Sequence, residues 1–360
     1  MCVPNHDSVW HFRSFVDVQR QKFWFTGPTY EPNSTEGLFV GYLYPILLWT
    51  AKETVEVGAG LKLRSEMART QFVRSRWALA VLALTVCFQM SAAMNCSDAA
   101  TLCSSDVSSY SPQHFIFVHG MGGGAWFWYE IQTLMEHFNQ SATAVDLTSH
   151  GINKAIADNV ITVAEYTQPL IDAINNVSGK VILVGHSLGG GSIAYASELC
   201  PNKVAKAIYL SSCMPTYNQS MFSAFPANTF PNLLNAGYVT FNYRNGPSNP
   251  SSASLNKAKL NEFYMSGTPT RYVNLGREVM TDTPFTPGTE TLPLTPAKYG
   301  TVRRFYIRTG KDKGVPPSDQ DEIIANNPPE KLFCMPNGDH TVFFSAPIEL
   351  FKNLLCISSL

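Results

Sequence analysis

Short runs of apolar, β-prone residues alternate along this chain with longer stretches whose apolar positions recur every three or four residues. The runs His114–Val118, Ala142–Leu147, Val181–Val184, Ala207–Ser211, Arg304–Ile307 and Lys331–Met335 predict strands. The stretches Trp126–Phe138, Val163–Asn175, Gly191–Leu199, Ser318–Ala325 and Pro347–Leu355 predict helices between and after them. Strands that alternate with helices predict an α/β domain, a mostly parallel sheet with helices on both faces. The rhythm breaks at about 215–298. This stretch is rich in Pro, Asn, Ser and Phe, with helix-like pieces at Lys257–Met265 and Thr270–Met280. It reads as an inserted cap over the carboxyl ends of the strands. Its apolar residues Met221, Phe222, Phe225, Phe230, Phe263 and Tyr264 either wall a pocket or hold the insertion to the core.

The N-terminal third follows a different pattern. Three arginines and no acid lie between Arg69 and Arg76, and a 14-residue uncharged run follows from Trp77 to Met90. Ser91-Ala92-Ala93 then supplies small residues. A basic start, a short apolar run and a small-residue end predict a secretory signal peptide at 67–93, with Met67 as the initiator and 1–66 as an upstream extension. A signal anchor is the alternative, although the run is short for a membrane span of about 20 residues. The expected location is therefore secreted or in the secretory lumen, with no stable membrane insertion and a domain of residues 94–360. Sequons at Asn95, Asn139, Asn176 and Asn218 are compatible with that route. Six cysteines lie beyond the apolar run, and Cys96 with Cys103 is the expected local pair. Cys213 and Cys334 fall in strand-like runs and read as buried thiols.

Composition narrows the function. With 45% hydrophobic and 15% charged residues among 360, the chain can bury a large core. Its formal net charge of −1 gives no basis for binding nucleic acid. No Cys/His cluster has zinc spacing, so no metal is expected, and no cofactor motif is evident. The sequence is compatible with a homodimer.

The chemistry starts at Val181-Ile182-Leu183-Val184-Gly185-His186-Ser187-Leu188-Gly189. A buried strand runs into G-x-S-x-G and then into a helix, the grammar of a nucleophile elbow that exposes a serine at a sharp turn. A phosphate-binding turn would need a lysine after the glycines, and none follows. Serine needs a base and a group to orient that base. In this architecture the chain order is Ser, acid, His. Asp312 follows one strand and His340 follows the last, both at carboxyl ends, where such sheets place ligands. Asp319, Asp321 and Asp339 are poorer choices for the acid, and Asp146 is the fallback. His119 and His186 read as structural. The oxyanion donors are assigned to the backbone N–H groups of Leu188 and Met121, the latter in the glycine-rich loop His119–Gly124.

These residues together resemble the plant methylesterase and hydroxynitrile lyase family of α/β-hydrolases, over about Gln113 to Cys356. Phe117-Val118-His119-Gly120 with Gly124-Ala125-Trp126-Phe127-Trp128-Tyr129 resembles that family's opening H-G-x-x-x-G-A-W-x-W-Y. Asp146-Leu147 to Gly151-Ile152 resembles its D-L-x-x-x-G-I loop, and Tyr166 to Leu170 its Y-x-x-P-L helix. The resemblance implies the α/β-hydrolase fold with an inserted cap. It also implies Ser187, Asp312 and His340 as the triad, and a small methyl ester of the salicylate, jasmonate or indole-acetate kind as substrate. Lyases of the family carry threonine at the position of Gly120 and lysine at that of Thr341. Both departures favour ester hydrolysis over lyase chemistry. A non-catalytic receptor for a small ligand on the same fold is the third possibility.

Overall fold

Four strands in the first half of the domain and two near its end form one parallel sheet. They are β1 (His114–Val118), β2 (Ser141–Val145), β3 (Val181–His186), β4 (Val204–Leu210), β8 (Arg303–Thr309) and β9 (Lys331–Met335), in the order β9-β8-β4-β3-β1-β2. The structure is a computed structural model and describes residues 17–18, 21–22, 96–97, 102–103, 110–244 and 246–360. The sequence readings for 1–66 and 67–93 lie outside the described residues, apart from a two-residue antiparallel pairing of Asp17–Val18 with Gln21–Lys22. That pairing belongs to a unit separate from the one containing the sheet.

Two alternating sets of side chains explain why the sheet is covered on both faces. Phe115, Phe117, Ile182, Val184, Ile208 and Leu210 share one apolar cluster, while Ile116, Val118, Leu183, Ala207 and Tyr209 share the other. The period of two sends successive residues to opposite faces. The first cluster is closed by α1 (Tyr129–His137) and the C-terminal helix α7 (Pro347–Ser359), through Ile131, Met135, Leu350 and Leu354. The second is closed by α2 (Val163–Asn176), α3 (Gly189–Leu199) and α6 (Pro317–Asn326), through Leu170, Ile193 and Ile323. Every residue of β3 is buried, as a central strand requires.

Most elements lie where the hydrophobic pattern puts them, with shifts at the ends. The helix expected from Trp126 begins as a 3-10 turn, Ala125–Trp128, before α1. Between β4 and β8 the differences are larger. The insertion holds a three-stranded antiparallel sheet of β5 (Val239–Asn242), β6 (Ser252–Leu255) and β7 (Thr283–Pro284). Helices α4 (Thr229–Asn235) and α5 (Thr270–Val279) accompany it, with a short helical turn at Thr286–Thr289. Of the helix expected at Lys257–Met265 only the 3-10 turn Lys257–Lys259 forms.

The expected Cys96–Cys103 pairing is not the one observed. Cys96 is bonded to Cys334 on β9, and Cys103 to Cys356 on α7. Cys96 is brought to the sheet edge because Ser97 lies along β9, where its N–H donates to the Leu332 carbonyl at 2.6 Å. Cys334 is therefore not a buried thiol. Among the described residues Cys200 and Cys213 are free, and Cys213 is buried as expected. No helix among the described residues is long and apolar enough to cross a membrane.

Candidate active site

The strand order reverses between β1 and β3, so the loops leaving their carboxyl ends diverge and open a crevice. Ser187 stands in that crevice. It follows β3 directly with φ of +54°, a left-handed conformation that costs a non-glycine residue energy. Surrounding bonds hold the turn. The Ser187 N–H donates to the Leu210 carbonyl at 3.2 Å, and the Ser187 carbonyl accepts from Ser212 Oγ at 2.7 Å and from the Cys213 N–H at 3.1 Å. The motif glycines are sterically required. A Cβ at Gly189 would sit 2.4 Å from the His119 carbonyl oxygen, and one at Gly185 2.8 Å from that of Gly189. At Gly120 a Cβ would sit 2.6 Å from Ser187 Cβ, so the loop after β1 lies directly against the serine.

Asp312 and His340, the candidate acid and base, lie side by side. His340 Nδ1 lies 2.8 Å from Asp312 Oδ2, and both side chains are almost wholly buried. A carboxylate at that distance is an acceptor, so the proton sits on Nδ1 and the Nε2 lone pair is left free. Four further donors fix Asp312: Thr309 Oγ1 at 2.9 Å, the N–H groups of Gly314 and Val315, each at 2.8 Å, and Gln320 Nε2 at 3.5 Å. The rival acids are engaged elsewhere. Asp146 accepts from the N–H groups of Ala125 and Ile152 and clasps the opening motif to the loop after β2. Asp319 accepts from Thr229 Oγ1, and Asp321 pairs with Arg308. Asp339 accepts from the Gly267 N–H and from Thr268 and Ser345 hydroxyls, so it ties the insertion to the His340 loop.

The other histidines are props. His119 Nε2 accepts from the Leu147 N–H at 3.2 Å, so Nδ1 carries the proton and donates to the Gly120 carbonyl at 2.8 Å. His186 Nε2 lies 2.8 Å from the His340 carbonyl and donates to it. Burial holds the His119 imidazole down at about 4 and pushes His186 well below the ordinary imidazole value. Both are therefore neutral near pH 7. The His186 bond was not legible in the sequence, because it joins positions 154 residues apart.

Ser187 and His340 line one cavity together with Met121 and Leu188. The cavity between them is small, about 30 Å³. Among the described residues no carbonyl or side chain accepts from the Met121 or Leu188 N–H. The insertion supplies most of the remaining wall, with Phe225, Phe230, Leu233 and Phe263. No Asp, Glu, Lys or Arg lines the cavity, so it suits a neutral, apolar ligand. Of the six apolar residues named from the sequence, Met221 and Phe222 do not line it. Met221 packs at Gly191, and Phe222 packs against Phe230 and Phe285. No group of His, Cys, Asp and Glu among the described residues could hold a metal ion.

The sequence model of the alpha/beta hydrolase family matches residues 115–353. The chain is 39% identical over 248 residues to chloroplastic methylesterase 11 of Arabidopsis thaliana, whose own name leaves that activity provisional; the match covers 68% of this chain and 64% of that one. It is 31% identical to methylesterase 9 of Arabidopsis thaliana, over 68% of this chain and 98% of that one. The crystal structure of polyneuridine aldehyde esterase superposes with a TM-score of 0.63 at 29% identity, over 69% of this chain and 100% of that one. The chain spans only 58% to 64% of the length of three chloroplastic relatives. Those relatives are named as chloroplastic, which contradicts the secretory location expected from the sequence. An arginine-flanked segment without acids is also what a plastid transit peptide shows, so the two addresses share their sequence signal.

Proposed function

The chain belongs to the alpha/beta hydrolase family, among the plant methylesterases, and on that premise we propose that it is a serine carboxylesterase acting on a small, neutral, apolar methyl ester. The observation that carries the proposal is the buried 2.8 Å Asp312–His340 hydrogen bond on a cavity wall shared with Ser187. Ser187 Oγ attacks the ester carbonyl, and His340 Nε2 takes its proton. Asp312 keeps the other ring proton on Nδ1 and stabilises the imidazolium. The N–H groups of Met121 and Leu188 receive the oxyanion. The intermediate collapses, the alkoxide leaves as alcohol with the proton from His340, and water then repeats the sequence on the acyl-enzyme.

Lyase chemistry has no support here. Thr341, where a lyase carries its lysine, is hydrogen-bonded to Thr268 at 2.6 Å, and no cation lines the cavity. The test is hydrolysis of p-nitrophenyl acetate and a panel of aryl and alkyl methyl esters. Turnover by the parent, and loss of at least about 10⁴-fold in Ser187→Ala, are expected. Activity retained in the variant rejects the mechanism, and ligand binding without turnover by the parent marks a receptor. The relatives' names support a plastid location, which a C-terminal fluorescent fusion would show by overlap with chlorophyll.

A further inference from the structure

Tyr264, in the insertion, meets two parts of the proposed machinery at once. Its hydroxyl donates to the Met121 carbonyl at 2.9 Å. Its ring stands edge-on to the His340 imidazole, 4.6 Å between centroids. The side chain is almost wholly buried and lines the cavity. From these contacts we infer that Tyr264 is a positioning residue for the esterase reaction, setting the direction of the Met121 peptide. The inference rests on the serine-esterase reading above.

The physical reasoning begins at Met121. Its neighbour Gly122 has φ of +70°, and the Gly122 N–H is held separately by Thr283 Oγ1 at 2.8 Å. The Met121 carbonyl thus lies between a left-handed turn and the residue whose N–H is assigned to the oxyanion. A donor fixed on that carbonyl limits rotation about the Met121 backbone, and rotation there would swing the N–H away from the cavity. Oxyanion donors work because they are aimed before charge develops. The segment carrying Tyr264 is itself pinned to the His340 loop. The Gly267 N–H and Thr268 Oγ1 donate to Asp339, and Thr268 Oγ1 bonds Thr341. The phenol is therefore carried by a short stretch gripping both neighbours of the base. Burial and the nearby Asp312 charge raise the phenol's pKa, so it remains a donor throughout the working pH range.

The test compares the full-chain parent with Tyr264→Phe, which deletes one oxygen and leaves the ring on His340. A misaimed donor costs part of the 10²–10³-fold that losing a whole oxyanion donor costs. For p-nitrophenyl acetate the expected result is a kcat about 10-fold lower with KM within about twofold. Two inhibitors separate aiming from mere pocket lining. An aryl trifluoromethyl ketone captures Ser187 as a tetrahedral adduct, whereas the matching methyl ketone only occupies the cavity. Tyr264→Phe is expected to weaken the first about 10-fold and leave the second unchanged. A kcat within twofold of the parent, or equal weakening of both ketones, overturns the inference. Ser187→Ala keeps the two readings apart: if it still hydrolyses the ester, the esterase mechanism fails whatever Tyr264→Phe does.

Discussion

Each residue at the site is held by bonds that the reaction itself does not use. Ser187 occupies a left-handed backbone conformation because Leu210, Ser212 and Cys213 bond both sides of its peptide. His340 is gripped at its ring by Asp312 and at its carbonyl by His186. Asp312→Asn preserves shape but presents an NH₂ or a weaker acceptor to Nδ1, which disturbs the required tautomer. A fall in kcat of about 10⁴-fold with little change in melting temperature is expected, measured by steady-state hydrolysis and calorimetry. Ser187, Asp312 and His340 could be chosen as candidates because a serine in G-H-S-L-G, an acid after one strand and a histidine after the last are local patterns with a fixed order. Sorting the histidines was also possible, since His119 precedes a glycine loop and His186 adjoins the elbow. Asp339 had no local explanation in the sequence. Its partners, Gly267 and Thr268, lie 72 and 71 residues away.

At the scale of elements, the parallel sheet was readable, and within the insertion the helix Thr270–Val279 was while its strands were not. Strands such as Lys331–Met335 are continuous apolar runs bounded by turn residues, and both ends were found. The strands β5 to β7 are short, Ser252-Ala253-Ser254-Leu255 is half polar, and Pro284 sits in an edge strand, so the pattern carries little strand signal. The insertion is latched to the His340 loop by Thr268, which donates to Asp339 and bonds Thr341. Thr268→Val removes that hydroxyl and leaves Asp339 short of a donor. The expected cost is about 1–3 kcal/mol in a urea titration, with reduced kcat. The two disulfides act at the opposite side of the sheet from β2, on β9 and α7. Replacing all four cysteines by serine should cost about 2–5 kcal/mol, seen as a lower melting temperature, while kcat at 25 °C stays within about twofold. Neither bridge lines the cavity, so a large loss of activity in the folded variant contradicts this assignment.

For the molecule as a whole, three wholly buried histidines set its response to acid. Burial holds His119 at about 4 and His150 and His186 well below the usual range. The unfolded values lie near 6.5, so between there and about 4 the unfolded chain binds more protons than the folded one. Stability is therefore full above about pH 6.5 and falls as pH drops through that window, by up to about 1.4 kcal/mol per pH unit for each histidine. Urea midpoints at pH 7, 6 and 5 should decrease in that order, and a flat series contradicts it. A different consequence follows from the disulfides. Each joins a residue before the first strand of the sheet to one at or beyond its last, so the domain is a covalent ring. Pulled at its two ends, the chain passes tension through the short stretch from Cys96 to Cys103 and across the Cys103–Cys356 bridge. The polypeptide between Cys103 and Cys334 carries no load, and either bridge alone is enough to shield it. An unfolding machine that grips one terminus meets a closed loop instead of a thread, and it can draw the domain out only after both bonds have been reduced.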